Sequence, residues 1–152
     1  MFPYYLKIHH YTFLKSSFCL HNYTPLLTYY ILKKNEAKIM THEKCIFCKI
    51  ISSEIPSTKI TENEDVLVIK DIAPKAPIHY LIIPKKHVID VASLEENDAS
   101  IASKMIFMAK TLSTDLPDEQ SFRLIINNGP QAGQTVFHLH CHFIAGKKMT
   151  DF

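Results

Sequence analysis

Near the C-terminal end of the chain, His138-Leu139-His140-Cys141-His142-Phe143 alternates strictly between imidazole and apolar side chains. Successive side chains of an extended strand point to opposite faces. The run therefore predicts a strand over 136–144 that carries three imidazoles on one face. Leu139, Cys141 and Phe143 share the other face and pack beneath the sheet. Neighbouring histidines then stand ~7 Å apart along the strand, close enough to surround one phosphate or one metal ion.

A lone histidine on a strand is usually a satisfied or solvent-facing side chain, but three at i, i+2 and i+4 point to chemistry. Two chemistries compete. Imidazole is a common zinc ligand, and a catalytic zinc takes three protein ligands plus a water. Alternatively, one imidazole serves as nucleophile in phosphoryl or nucleotidyl transfer while its neighbours donate hydrogen bonds to the phosphate. The preceding segment, Asn127-Asn128-Gly129-Pro130-Gln131-Ala132-Gly133-Gln134-Thr135, favours phosphate, with small residues, amides and a hydroxyl. A glycine-containing turn of this kind can present backbone N–H groups as an anion nest. The three glycines of the chain, Gly129, Gly133 and Gly146, bracket the histidine strand, which predicts unusual backbone angles or close approach there.

At 152 residues the chain suffices for one domain with a real core. Residues 44–52 place apolar side chains at helical spacing and predict a short helix that stops near Pro56. Strands are expected over 59–61 and 66–70 around the acidic turn 62–65, then over 78–84 and 122–126. Ser93-Leu94-Glu95-Glu96 reads as a capping box. The helix it opens carries Ile101, Met105, Met108, Ala109 and Leu112 as a core-facing stripe, and ends before Pro117. Strands in runs with one long helix predict an α+β domain built on an antiparallel sheet.

The first 40 residues differ in kind. They hold six of the seven tyrosines, five lysines against one glutamate, and no glycine. They lack a clean structural period, an apolar run long enough to span a bilayer, and the pattern of a secretory signal or transit peptide. Three readings stay open: upstream residues before a true start at Met40, a loosely docked or disordered extension, or a targeting segment. Without residues 1–40 the chain carries 12 basic and 14 acidic groups, a net of −2, and no clustered basic face to bind nucleic acid. The cysteines are Cys19, Cys45, Cys48 and Cys141. With no export signal, a reduced cytoplasmic setting is expected, where Cys45-x-x-Cys48 suggests metal or redox chemistry before a disulfide.

Gly133-Gln134-Thr135-Val136-Phe137-His138-Leu139-His140-Cys141-His142 resembles the histidine-triad signature. The resemblance extends from about Cys45 to Met149, through Ile46-Phe47-Cys48-Lys49-Ile50-Ile51, Glu54-Ile55-Pro56, Asp71-Ile72-Ala73-Pro74 and Pro84-Lys85-Lys86-His87. Phe137 and the ending Ile144-Ala145-Gly146-Lys147-Lys148-Met149 look like the Hint branch, the purine nucleoside phosphoramidases. The diadenosine-polyphosphate hydrolases of the family have a proline before the first histidine and Pro-Arg after the triad, which this chain lacks.

The resemblance implies a fold of about five antiparallel strands with one long and one short helix, and a homodimer that continues the sheet. It implies hydrolysis of purine nucleoside phosphoramidates through a nucleotidyl-histidine. His140 would be the nucleophile and His142 a donor to the phosphate, with His138 as the third member of the catalytic triad. Thr135 and the backbone around Gly133 and Gln134 would complete the anion site, with Asn127 in the same pocket. Asp71 would hold the ribose hydroxyls, and Phe47, Ile50 and Ile72 would pack on the purine of an AMP-like ligand. Alone, Asp71 reads equally as a turn former, Phe47 and Ile50 as helix core, and Thr135 as a strand start.

Some members that begin Cys-x-x-Cys carry a structural zinc, which implies a set of Cys45, Cys48, His87 and His138 that catalysis itself does not require. His138 would then be structural rather than a member of the reacting group. Two other functions compete: a nucleotide-binding regulatory or scaffold protein, and a dinucleoside polyphosphate hydrolase of the same family. A metallohydrolase with zinc on all three histidines is disfavoured, since no carboxylate lies close to the triad in sequence.

Overall fold

The computed structural model describes residues 44–117 and 121–149; the expectations on residues 1–40 and Cys19 lie outside this range. Helix α1 is Ile46–Ile51, followed by strands β1 (Lys59–Glu62), β2 (Val66–Lys70) and β3 (Ile78–Pro84). Helix α2 (Ala99–Ser113) leads to β4 (Phe122–Ile125) and β5 (Cys141–Ala145). Every strand pair is antiparallel, in the order β1-β2-β3-β5-β4. This is the expected α+β fold with one long and one short helix.

The sheet separates two cores. Beneath α2, Met105, Met108, Ala109 and Leu112 pack on Val66, Val68, Ile82, Leu139, Cys141 and Phe143. Phe143 is fully buried and stacks between Tyr80 and Phe122, with ring centroids 6.2 and 4.8 Å away. On the opposite face Cys45, Phe47 and Cys48 of the α1 segment pack on Leu67, Ile69, Leu81 and Ile83. Both faces of β2 and β3 are therefore covered, which explains their nearly continuous apolar sequence. Helix α1 ends where Ser53 turns left-handed at φ 66° and the N–H groups of Glu54 and Ile55 fold back onto the Lys49 carbonyl.

Two local expectations are corrected. The last strand begins at Cys141 rather than at 136. Its ladder with β3 runs from Ile78↔Ala145 to Ile82↔Cys141, and the Pro84 end of β3 cannot extend it. Proline has no N–H to donate, the Pro84 carbonyl accepts from His138 Nε2 at 2.8 Å, and the Leu139 N–H donates to the Val88 carbonyl at 2.6 Å. Facial alternation nevertheless persists through 138–143. The capping box also sits later than read: Ser93 closes a 3-10 turn, Val91–Ser93, and donates its hydroxyl to Asp90. The box is formed by Glu95 and Asp98, whose carboxylate accepts the Glu95 N–H and pairs with Lys86.

Candidate functional site

His140 follows an irregular segment and precedes the first residue of β5. Its Nδ1–H donates to the main-chain carbonyl of His138 at 2.7 Å. A neutral imidazole with its proton on Nδ1 keeps a lone pair on Nε2. The ring lines a cavity of about 670 Å³ on the α1 side of the sheet, within the usual size of small-ligand sites. Phe47 lies edge-on to this ring at 5.2 Å and restricts its rotation.

His142 faces the same cavity, two residues on, with its ring 5.2 Å from that of His140. Leu81 of β3 is its cross-strand partner, so His79, two residues before Leu81, shares its face. His79 Nδ1 accepts the Lys75 N–H at 3.1 Å, which leaves the proton of neutral His79 on Nε2. That Nε2 lies 2.9 Å from His142 Nδ1 and 3.4 Å from Asp71 Oδ2. With Nδ1 of His142 accepting, its Nε2 carries the proton and becomes a donor. Burial pushes His142 down to about 4, reinforced by the neighbouring His140 and His79 and opposed by Asp71. Burial also lowers His79, with Asp71 opposing and Lys75 adding. Both rings are therefore neutral near pH 7. Asp71, His79 and His142 bring three ligand-type atoms together, yet the proton on His79 Nε2 points into the group. A hydrogen-bonded relay fits this arrangement better than a cation.

The structure places Phe47, Ile50, Asp71, Ile72, Asn127, Thr135, His140 and His142 around the cavity. Ile72 is fully exposed at its mouth. Asp71 spends one carboxylate oxygen on the Ala73 N–H at 2.7 Å, forming a local turn, and turns the other toward His79.

Gly133 and Gln134 stand behind the cavity rather than on its wall. Their N–H groups donate to the carbonyls of Pro130 and Gly129, each at 3.1 Å. Gly129 and Gly133 adopt φ of 82° and 87° at the two ends of the 3-10 turn Pro130–Ala132, where a side chain would strain the backbone. The Gln134 amide is buried. It accepts the Gly129 N–H at 2.7 Å and donates to the carbonyls of Ile89 at 2.7 Å and Val136 at 3.2 Å. Gln134 thus braces the loop that delivers Thr135 and Asn127 to the cavity.

His138 is fully buried and, unlike the other two members of the triad, does not line the cavity. Its Nδ1 lies 3.4 Å from Cys45 Sγ, 3.6 Å from Cys48 Sγ and 3.2 Å from His87 Nδ1. Cys48 Sγ and His87 Nδ1 are 3.3 Å apart. Since His138 Nε2–H is committed to Pro84, Nδ1 presents a lone pair to this group. Two thiols and two imidazole nitrogens at these separations match a tetrahedral S2N2 donor set for a zinc-like cation. Burial, with Cys45 alongside, pushes the Cys48 thiol up to about 12, and a bound cation would reverse that shift. Cys141 lies on the α2 side of the sheet, where burial raises its thiol to about 11 and leaves it inert.

His79 is the site residue that sequence reasoning missed. The signal was a single histidine inside an apolar strand, which acquires meaning only through the β3–β5 register.

The HIT domain model matches residues 52–149, more than half of the chain. A 14 kDa zinc-binding protein of Brassica juncea is 41% identical over 106 residues, covering 68% of this chain and 94% of that protein. The adenylylsulfatase HINT1 of Arabidopsis thaliana is 41% identical over 106 residues, covering 68% and 72%. A HIT family hydrolase from Clostridium thermocellum superposes with a TM-score of 0.69 at 48% identity, over 72% of this chain and 96% of that one. The paired histidines, the cavity they line and these matches agree: the chain belongs to the histidine-triad (HIT) family, on its Hint-like side.

Proposed function

We propose that the protein is a nucleotide hydrolase that cleaves purine nucleoside phosphoramidates to the nucleoside monophosphate. The observation that carries this reading is the bond from His140 Nδ1–H to the His138 carbonyl, which leaves Nε2 as a nucleophile on the cavity wall. In the first step Nε2 attacks the α-phosphorus, forming an N–P bond as the substrate's P–N bond breaks and the amine leaves with a proton taken from solvent. Water then attacks the same phosphorus, the His140–P bond breaks, and AMP departs. Each displacement is easier than the single one it replaces. Nε2–H of His142 and the Thr135 hydroxyl face the charge that develops on the phosphoryl oxygens. Asp71 holds the ribose, Asn127 lines the phosphate end, and Phe47, Ile50 and Ile72 pack on the purine.

Cys45, Cys48, His87 and His138 hold a structural zinc, which cross-links α1 to the sheet and takes no part in the bond changes. The three described cysteines are unpaired and buried, consistent with a reducing, cytoplasmic setting. Among the described residues no helix is long and apolar enough to cross a membrane. Among them, too, the outer edge of β4 has no partner strand. Phe122 and Ile126 are exposed on or just after that strand, and Ile106 and Phe107 of α2 are exposed as well, which supports a homodimer that continues the sheet.

The adenylylsulfatase relative favours a second leaving group. Sulfate departs from the same phosphorus without needing a proton, and neutral His142 suits that case as well. Incubation with adenosine 5'-monophosphoramidate and, separately, adenylyl sulfate, with AMP release followed by chromatography, tests both. Turnover of the phosphoramidate is expected; tight AMP binding with turnover of neither substrate would instead mark a nucleotide-binding regulator.

A further inference from the structure

His138 belongs to both sites at once. Its ring offers Nδ1 to the Cys45, Cys48 and His87 cluster, and its main-chain oxygen accepts the proton of His140 Nδ1. Sheet pairing does not fix that oxygen, because the β5 ladder begins three residues later at Cys141. The backbone here is held by the His138 N–H to the Val136 carbonyl at 2.9 Å, by the Leu139 N–H to Val88, and by the His138 ring clamped between the cluster and the Pro84 carbonyl. Phe47 provides a second connection. It lies between the two cysteines, edge-on to His138 at 5.9 Å and to His140 at 5.2 Å.

We infer that His138 is a positioning residue through which occupancy of the four-donor cluster by a divalent cation fixes the tautomer and orientation of the His140 imidazole. The inference rests on the reading of His140 as nucleophile. With the cluster filled, the ring of His138 is anchored on both nitrogens, its carbonyl is held in place, and the Nδ1–H tautomer of His140 is the one retained. With the cluster empty, the His138 ring loses one anchor and α1 keeps only its apolar packing on the sheet, so Phe47 also loosens. His140 then samples the tautomer with its proton on Nε2, which presents an N–H instead of a lone pair to phosphorus. Misplacement of a reacting group on this scale costs about tenfold to a hundredfold in rate.

The test titrates zinc chloride into metal-stripped full-length protein with selectively 15N-labelled histidine. Long-range 15N–1H spectra report the His140 tautomer, quenched-flow mass spectrometry the rate of nucleotidyl-His140 formation, and calorimetry the affinity for AMP. The expected result is a shift of His140 to a single Nδ1–H form along the zinc-binding isotherm. Adduct formation should rise about tenfold or more, with AMP affinity changing by less than about threefold. The variant His87→Gln keeps both thiols and His138 and binds zinc more weakly, and both proteins are also started zinc-loaded and titrated with chelator, so that His140 is read on folded protein throughout. In the variant the same His140 transition should occur at higher zinc concentration. Stoichiometric zinc binding that leaves the tautomer and rate unmoved overturns the inference, as does an AMP affinity that changes in step with the rate. A tautomer that responds to zinc while no adduct forms on His140 upholds the coupling and overturns the nucleophile reading instead.

Discussion

Nε2 of His79 lies 2.9 Å from Nδ1 of His142, and the Lys75 N–H on the far side of the His79 ring determines which of the two donates. The relay runs from a main-chain amide through His79 to His142 and delivers a proton donor to the cavity. Replacing His79 by alanine removes the partner that fixes the His142 tautomer. The expected effect is a fall of about tenfold to a hundredfold in kcat with little change in KM. His79→Gln, whose amide can still donate to Nδ1, should recover part of the loss. Steady-state kinetics of the two variants on adenosine phosphoramidate check this.

The depressed pKa of His142 ties stability to pH. Folded His142 titrates near 4 and the unfolded chain's histidine near 6.5, so between these values the unfolded state binds more protons. Stability is fully present above about pH 6.5 and is lost as pH falls toward 4, and the shift of His79 has the same sign. Denaturant titrations from pH 7.5 to 4.5 should show this decline. In His142→Gln the decline should be shallower.

Gln134 tests the loop brace. Its amide makes three hydrogen bonds to backbone groups in a buried position, and truncation leaves those groups without partners. Gln134→Ala should cost about 2–3 kcal/mol in urea unfolding. Gln134→Glu should also destabilise, since a carboxylate accepts from Gly129 but cannot donate to Ile89 and Val136.

Metal content is the fourth expectation. The four donors converge within the range a tetrahedral ion requires, so purified protein should carry one equivalent of zinc per chain. Chelation should lower its melting temperature. Cys48→Ser should retain less than half an equivalent.

Much of this molecule was legible in the amino-acid order. Period-two alternation separated Leu139, Cys141 and Phe143 from the histidines, and those three residues do lie under α2. The division of labour within the triad was not contained in the alternation. It depends on the Cys45–Cys48 turn meeting His138, a contact spanning some ninety residues. The early end of the β3–β5 ladder was hidden for a related reason. Pro84 is silent as a strand terminator until the register sets it opposite the histidine segment. Gln134 appeared as part of an anion-binding loop because its amide is the right chemistry. In the fold its bonding capacity is spent on Gly129, Ile89 and Val136.

The role of His140 is open to direct test. Full-length protein is mixed with adenosine phosphoramidate, quenched in base within milliseconds, digested and analysed by mass spectrometry, with His140→Asn in parallel. The expected result is a single adenylyl group on the peptide containing His140, localised to that residue, and loss of turnover with retained AMP binding in His140→Asn. Turnover that persists in His140→Asn, or an adenylyl group located on another residue, would contradict the assignment of His140 as nucleophile.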